Sequence, residues 1–154
     1  MAGPLAEGGT HQRVPIAMDD GEVAGYLASG ATMTVATYQA DGTIHLSAMW
    51  YTIDAGTPVM WTNGRSQKVA NLRRDPRLTV LVESGQRYHE LAGVQLVGRA
   101  ELISDESEVL RIGRLIDERY QLGVPEEILR YQATKRIGIR IFADRVVSWD
   151  HAKL

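Results

Sequence analysis

The chain has 154 residues, of which 44% are hydrophobic and 23% are charged, and its formal net charge is −2. These values are typical of one globular domain that is large enough to bury a core. The small negative charge argues against a dedicated nucleic-acid-binding protein. The chain has no cysteine, which excludes disulfides, thiolate nucleophiles and zinc–thiolate sites.

The N-terminal segment, residues 1–13, is polar and rich in glycine, and it lacks the apolar stretch of a signal peptide. This composition predicts a flexible tail, followed by a single domain over residues 14–154. No part of the sequence has the length and apolar character of a membrane span. We therefore expect a cytoplasmic protein without a membrane partner.

The first predicted elements are a helix and a strand. Residues 18–29 have a helical pattern that Asp19 or Asp20 can cap and that Gly30 can end. Residues 32–38 are rich in β-branched side chains and predict a strand.

An Asp41-Gly42 pair then predicts a hairpin turn into a second strand, residues 44–53. Alternation along this strand divides its side chains between two faces. One face carries Ile44, Leu46, Ala48 and Trp50, and the other carries His45, Ser47, Met49 and Tyr51. Core packing is therefore one interpretation of Trp50, and contact with a flat ligand ring is the other.

A phosphate-binding motif is the most informative feature of the chain. The apolar residues 58–61 predict a strand, and residues 62–68, Thr-Asn-Gly-Arg-Ser-Gln-Lys, lead from it into a short helix. A glycine turn and a helix N-terminus offer backbone N–H groups to an anion, and Arg65, Ser66 and Lys68 add further donors. The motif lacks the second glycine and the Gly-Lys-Ser/Thr end of a Walker sequence.

The remaining pattern predicts an antiparallel sheet with helices packed outside it, because strands come at both ends of the chain and helices lie between them. The predicted elements are a helix over residues 66–75, strands over 78–82 and 94–102, helices from Asp105 to Gly123 and over 125–131, and strands over 137–141 and 145–149. Gly98 predicts a bulge or a close backbone approach.

The order of these elements and three groups of residues resemble a known family. The groups are Ala36-Thr37, Asp41-Gly42 and residues 47–51; residues 62–68 with 71–77; and residues 97–101. They resemble the pyridoxamine 5′-phosphate oxidase-like superfamily of split β-barrel proteins, and within it the actinobacterial branch that uses the deazaflavin coenzyme F420. The resemblance extends over about residues 19–149.

This resemblance implies a mainly β split barrel with flanking helices that forms a homodimer. It implies a reductase in which the deazaflavin delivers a hydride to a conjugated small-molecule acceptor. The cofactor ring would lie along residues 47–51, and residues 62–68 would hold the phosphate. The implied cofactor-binding residues are Ser47, Met49, Trp50, Tyr51, Thr62, Gly64, Arg65, Ser66 and Lys68.

Two alternatives to this function remain open. Some deazaflavin-binding relatives carry arginine at the position of Ser66, and the neutral serine here is compatible with FMN in an oxidase or reductase of the pyridoxamine 5′-phosphate oxidase type. A non-catalytic carrier of flavin or haem is the second alternative.

The sequence does not identify a catalytic residue. His45 and His89 are candidate proton donors without an identifiable partner carboxylate, and water or Tyr51 could equally supply a proton. The four histidines do not have the spacing of metal ligands, so we expect no metal site.

Overall fold

The computed structural model describes residues 14–154, and over this range the chain forms seven β-strands and four α-helices. The strands are β1 (Met33–Tyr38), β2 (Ile44–Met49), β3 (Thr52–Asp54), β4 (Thr57–Asn63), β5 (Arg77–Ser84), β6 (Ala92–Ile103) and β7 (Arg136–Asp150). The helices are α1 (Asp20–Ser29), α2 (Gln67–Arg74), α3 (Glu106–Tyr120) and α4 (Glu126–Ala133). The predicted tail, residues 1–13, lies outside the described residues.

All seven strands belong to one sheet, in the order β2-β1-β5-β6-β7-β4-β3, with antiparallel neighbours. The two edge strands, β2 and β3, are separated in the chain only by Trp50 and Tyr51. Three residue steps span at most about 11 Å, so the sheet must curl until its edges approach each other. The predicted antiparallel split barrel with flanking helices is therefore confirmed.

The chain has two apolar clusters that share β4. Alternation sends Met60 into the barrel, where it packs with Met33, Val35 and Ile139. The neighbouring Val59 and Trp61 point outwards, into a second cluster beneath α3 and α4. Because the two clusters use opposite faces of one strand, β4 is buried on both sides.

The predicted strand over residues 44–53 is two strands on opposite edges of the sheet. The apolar row of β2 points outwards, with Ile44 51% and Leu46 64% exposed. Ser47 instead lies opposite the buried Val35 on the core side. Serine and histidine therefore occupy the inner row of this edge strand, and its apolar row is the outer one.

Strands β6 and β7 form a long antiparallel pair with a register shift between Val97 and Gly98. A Cβ atom at Gly98 would overlap the carbonyl oxygen of Phe142, so the predicted close backbone approach is confirmed. The two strands predicted over residues 137–149 are one continuous strand, β7.

Helix α1 begins after Asp19, whose side chain accepts from the backbone N–H of Glu22 in a reciprocal capping box. Helix α3 is capped by Asp105 but ends at Gln121 in the left-handed conformation, with φ 53°, before the predicted glycine. Within residues 14–154, no helix combines the length and apolar character needed to cross a membrane.

Candidate functional site

The turn between β4 and α2 is built around Asn63. The backbone N–H of Ser66 donates to the Asn63 carbonyl at 3.0 Å, and that of Arg65 donates to the Asn63 side-chain oxygen at 2.9 Å. The N–H of Gly64 donates to the Lys135 carbonyl at 3.0 Å. This corrects the expectation that the turn itself offers free N–H groups, because its three donors are already used.

The free donors lie one step further along, in the first turn of α2. The N–H groups of Gln67, Lys68 and Val69 find no acceptor among residues 14–154, as is general for a helix N-terminus. The Ser66 hydroxyl at the N-cap position is buried and has no partner within the described range. These groups suit an anion, because the helix dipole also places positive charge there.

Lys68 is the charged centre of this region. Lys68 is only 8% exposed, and its ammonium donates to the Thr62 hydroxyl at 3.4 Å. No carboxylate within the described part of the chain forms an ion pair with it. Burial lowers the pKa of the Lys68 ammonium. A buried cation without a counter-charge is costly unless a ligand supplies the anion.

The inner face of β2 carries more unpartnered polar atoms. The Ser47 hydroxyl and the His45 Nδ1 are both buried and find no partner in residues 14–154. His45 lies directly opposite Thr37, whose hydroxyl accepts from the Asn71 side chain of α2 at 3.0 Å. Because α2 covers this face, we place Ser47 and His45 on the same side of the sheet as the phosphate motif.

Met49 and Trp50 line a cleft of about 310 Å³ at the point where the chain leaves β2. The Trp50 ring stacks on Tyr120 with centroids 4.5 Å apart and remains 48% exposed. Trp61 and Arg136 form another part of the cleft. Trp50 therefore presents an indole ring to a pocket and does not pack in the barrel interior.

Tyr51 stands apart from the other predicted site residues. Its side chain is fully buried, and its hydroxyl donates to the carbonyl of Leu27 at the end of α1. The Arg119 guanidinium lies 4.3 Å from the centre of the Tyr51 ring. Burial raises the pKa of the Tyr51 hydroxyl. The structure gives no support to Tyr51 as the proton donor, because this hydroxyl is buried and has a backbone partner.

Arg65 is exposed and lines a different cleft, of about 330 Å³, with Asn63, Thr134 and Lys135. The structure thus brings Thr62, Ser66 and Lys68 together but does not link Arg65 to them by any hydrogen bond. His89 is also remote from α2, with a side chain that is 72% exposed.

Sequence reasoning missed Trp61 and Arg136. The available signal was the alternation at the start of β7, where Ile137 and Ile139 point into the barrel and Arg136 and Gly138 point the other way. An arginine on a face that helices cover is unusual. Among residues 14–154, no group of three histidine, aspartate or glutamate side chains is arranged to hold a metal ion.

The family model described as pyridoxamine 5′-phosphate oxidase matches residues 20–150. The conserved hypothetical protein Rv2991 from Mycobacterium tuberculosis is 40% identical, with a TM-score of 0.86 over 92% of this chain and 90% of that one. An F420 reductase is 18% identical, with a TM-score of 0.65 over 80% and 94% of the two chains.

The haem storage protein HutZ from Vibrio cholerae is 13% identical, with a TM-score of 0.68 over 84% of this chain and 94% of that one. The similarity to HutZ and to the F420 reductase concerns the fold alone. A search of curated protein sequences finds no match to this chain.

Proposed function

The chain belongs to the pyridoxamine 5′-phosphate oxidase family, and on this basis we propose that it is a reductase that uses the deazaflavin coenzyme F420. The acceptor would be a conjugated small molecule. The expectation of a cytoplasmic protein, drawn from the sequence, stays a prediction.

One observation carries the proposal: Lys68 is buried at the start of α2 without a carboxylate partner among residues 14–154. The phosphate of a cofactor would supply the missing charge. It would also accept hydrogen bonds from the Ser66 hydroxyl and from the free N–H groups of the first helical turn. The residues present therefore fit a phosphorylated cofactor, and Thr62 would hold the Lys68 ammonium in place.

The bound deazaflavin would supply the hydride, and the protein would supply position and surroundings. The Ser47 hydroxyl would orient the ring along β2, and Met49 would give it an apolar contact. The Trp50 ring, held by Tyr120, would limit where an acceptor can lie. With the Tyr51 hydroxyl buried, we assign the proton of the reduction to water.

FMN is the second candidate cofactor, because its phosphate would meet the same groups and because Ser66 is neutral. A parallel titration with the deazaflavin, FMN, FAD and haemin separates the possibilities. We expect the deazaflavin to bind most tightly. Tighter FMN binding would replace the cofactor and leave the phosphate site intact, whereas a Soret band with haemin alone would indicate a haem carrier.

Lys68→Met tests the phosphate site within the same titration. Loss of a charge-assisted bond should weaken binding of a phosphorylated cofactor roughly ten- to a hundredfold. Added salt should weaken binding to the wild type more than to the variant. Arg73→Met is the matched control, because Arg73 is exposed on the same helix. Equal losses in both variants would point to general surface charge and would contradict the proposed site.

Turnover needs its own measurement. The reduced deazaflavin, mixed with the protein and a panel of conjugated ketones and quinones, should regain its oxidised absorbance faster than without protein. Tight binding without acceleration by any acceptor would favour a carrier over a reductase.

We also propose a homodimer, which the resemblance implies. The outward row Leu46, Ala36, Thr79 and Val97 runs in register across β2, β1, β5 and β6. Leu46 is 64% exposed, and Ala36, Thr79 and Val97 are partly exposed. A second copy of the chain would bury this row.

Light scattering tests the proposed homodimer. It should give twice the chain mass for the wild type and a lower mass for Leu46→Glu. A wild-type monomer with cofactor bound would rule out the homodimer.

A further inference from the structure

The cleft beside Trp50 has a second chemical feature that the proposed function does not use, a half-buried arginine. The Arg136 guanidinium forms no hydrogen bond and no ion pair with any residue in the described range 14–154. Four residues further along β7, Arg140 points to the same side and donates to Thr57 at 2.6 Å and to Asp54 at 2.7 Å. Asp54 thus neutralises Arg140, whereas the Arg136 guanidinium has no polar partner among residues 14–154.

Arg136 is nevertheless held in position. Its guanidinium lies 4.5 Å from the centre of the Trp61 ring. The Trp61 ring is in turn fixed by α3, because a Cβ atom at Gly113 would overlap it. Burial lowers the pKa of Arg136. A stacked guanidinium keeps its N–H groups at the edge of the plane, where they can donate to a planar anion in a bidentate manner.

The opposite part of the cleft is an aromatic surface. Trp50 is stacked on Tyr120 with an interplanar angle of 14°. The Tyr120 hydroxyl donates to the Ala31 carbonyl at 2.8 Å, so this ring is anchored as well. An adjoining cavity of about 160 Å³ shares Trp50, Trp61 and Arg136 and extends towards Leu129. The two cavities together offer a rigid flat surface beside a rigid cation.

We propose that this cleft binds a planar conjugated carboxylate, with its carboxyl group on Arg136 and its flat portion against Trp50. The inference goes beyond the proposed function and does not depend on which cofactor the protein uses. This ligand would be the acceptor molecule. The polyglutamate tail that coenzyme F420 carries also has carboxylates but no conjugated plane, and the experiment below separates the two.

The test uses trans-cinnamate and its neutral analogue cinnamamide, titrated into the full chain without cofactor. Two of the three tryptophans line the cleft, so quenching of tryptophan fluorescence reports binding there. We expect cinnamate to bind roughly ten- to a hundredfold more tightly than the amide, as for a bond to a charged group. Equal affinities of acid and amide for the wild type would overturn the proposal without any variant.

Arg136→Gln should abolish the preference for the acid, and Arg136→Lys should keep part of it. Arg73→Gln, on the exposed side of α2, should leave the preference unchanged. Circular dichroism of each variant checks that the sheet is intact. A preference for the acid that survives in a folded Arg136→Gln protein would also overturn the proposal.

Competition with the cofactor tests whether the cleft is free for an acceptor. If the deazaflavin displaces cinnamate only when its glutamate tail is present, the cleft holds the tail, and the assignment to a planar carboxylate would be wrong. If neither form displaces it, the cleft remains available to a planar carboxylate while the cofactor is bound, as we expect. Displacement by the tail-free form would place the cofactor ring in the cleft, and the assignment of a carboxylate site would then be wrong.

Discussion

Two charged regions lie on either side of β4, and they differ in whether a carboxylate neutralises the cation. At the β3 end, Asp54 binds Arg111 and Arg140, each at 2.7 Å. Beside α2, Lys68 has only the Thr62 hydroxyl at 3.4 Å. The first region ties β3 to α3 and β7, whereas the second gives its charge no counterpart in the described chain.

The pKa shifts express the same difference. Hydrogen bonds from Arg111, and then from Arg140, hold the pKa of the Asp54 carboxyl well below its usual range. Burial lowers the pKa of Lys68 and of Arg136, and no carboxylate of the described residues opposes that effect. A compensated charge stabilises the fold, whereas an uncompensated buried charge is a place for a ligand. Four substitutions test this contrast.

Asp54→Asn should have the largest effect on stability. It leaves Arg111 and Arg140 without their carboxylate in a partly buried site, where Asp54 is 18% exposed. We expect the free energy of unfolding to fall by about 3 kcal/mol, as when one partner of a largely buried pair is removed. Urea denaturation of wild type and variant measures it, and a loss below about 0.5 kcal/mol would make the cluster ordinary surface charge.

The pH dependence of stability tests whether Asp54 acts through its charge. Because the folded-state pKa of Asp54 is depressed, its contribution is complete above the unfolded value of about 3.9 and is lost as the pH falls towards the folded value. Wild-type stability should therefore approach that of Asp54→Asn below about pH 4. A constant difference down to pH 2 would show that Asp54 acts by packing and not by charge.

Gly113→Ala should have the second-largest effect on stability. The added methyl group overlaps the Trp61 ring and would displace it from beneath Arg136. Overpacking of this kind costs about 2 kcal/mol, which thermal or urea unfolding can measure. Gly25→Ala is the matched control on α1, where a Cβ atom meets nothing within 4 Å and helix propensity favours alanine. Equal stability of the two variants would mean that Trp61 has room to move.

Lys68→Met should stabilise the cofactor-free protein by about 1 kcal/mol while it weakens cofactor binding, because it removes an uncompensated buried charge. Since burial lowers the folded-state pKa of Lys68, the cost of charging it is full below that value and vanishes above the unfolded value of about 10.4. The advantage of the variant should therefore shrink as the pH rises towards about 10 and be absent above it. A variant less stable than wild type at pH 7 would contradict the contrast between the two regions.

Arg73→Met should have the smallest effect. Arg73 is exposed, and it makes no ion pair within the described residues. Surface substitutions of this kind stay within about 0.5 kcal/mol. A larger change in the free energy of unfolding would indicate that any charge on α2 affects stability. The effect of Lys68 could then not be attributed to its burial.

The sequence by itself determined the order of the elements, the antiparallel barrel and the turn at residues 62–68 that leads from β4 into α2. These follow from local signals: alternation in β1 and β5, the turn glycines, and the cap at Asp19. Such signals act between residues that are near neighbours in the chain. Lys68 was selected for the same reason, since its motif is contiguous.

Only the tertiary structure decided which side of each strand became the inside. Alternation divides β2 into two rows but does not say which row faces the core, and the apolar row of Leu46 proved to be the outer one. Arg136 and Trp61 meet across β7 and β4, 75 residues apart in the chain, so no local pattern could join them. Tyr51 likewise found its partner in Leu27 only when the sheet curled. Burial and counter-charge depend on long-range contacts, and these properties separate the candidate site from the scaffold.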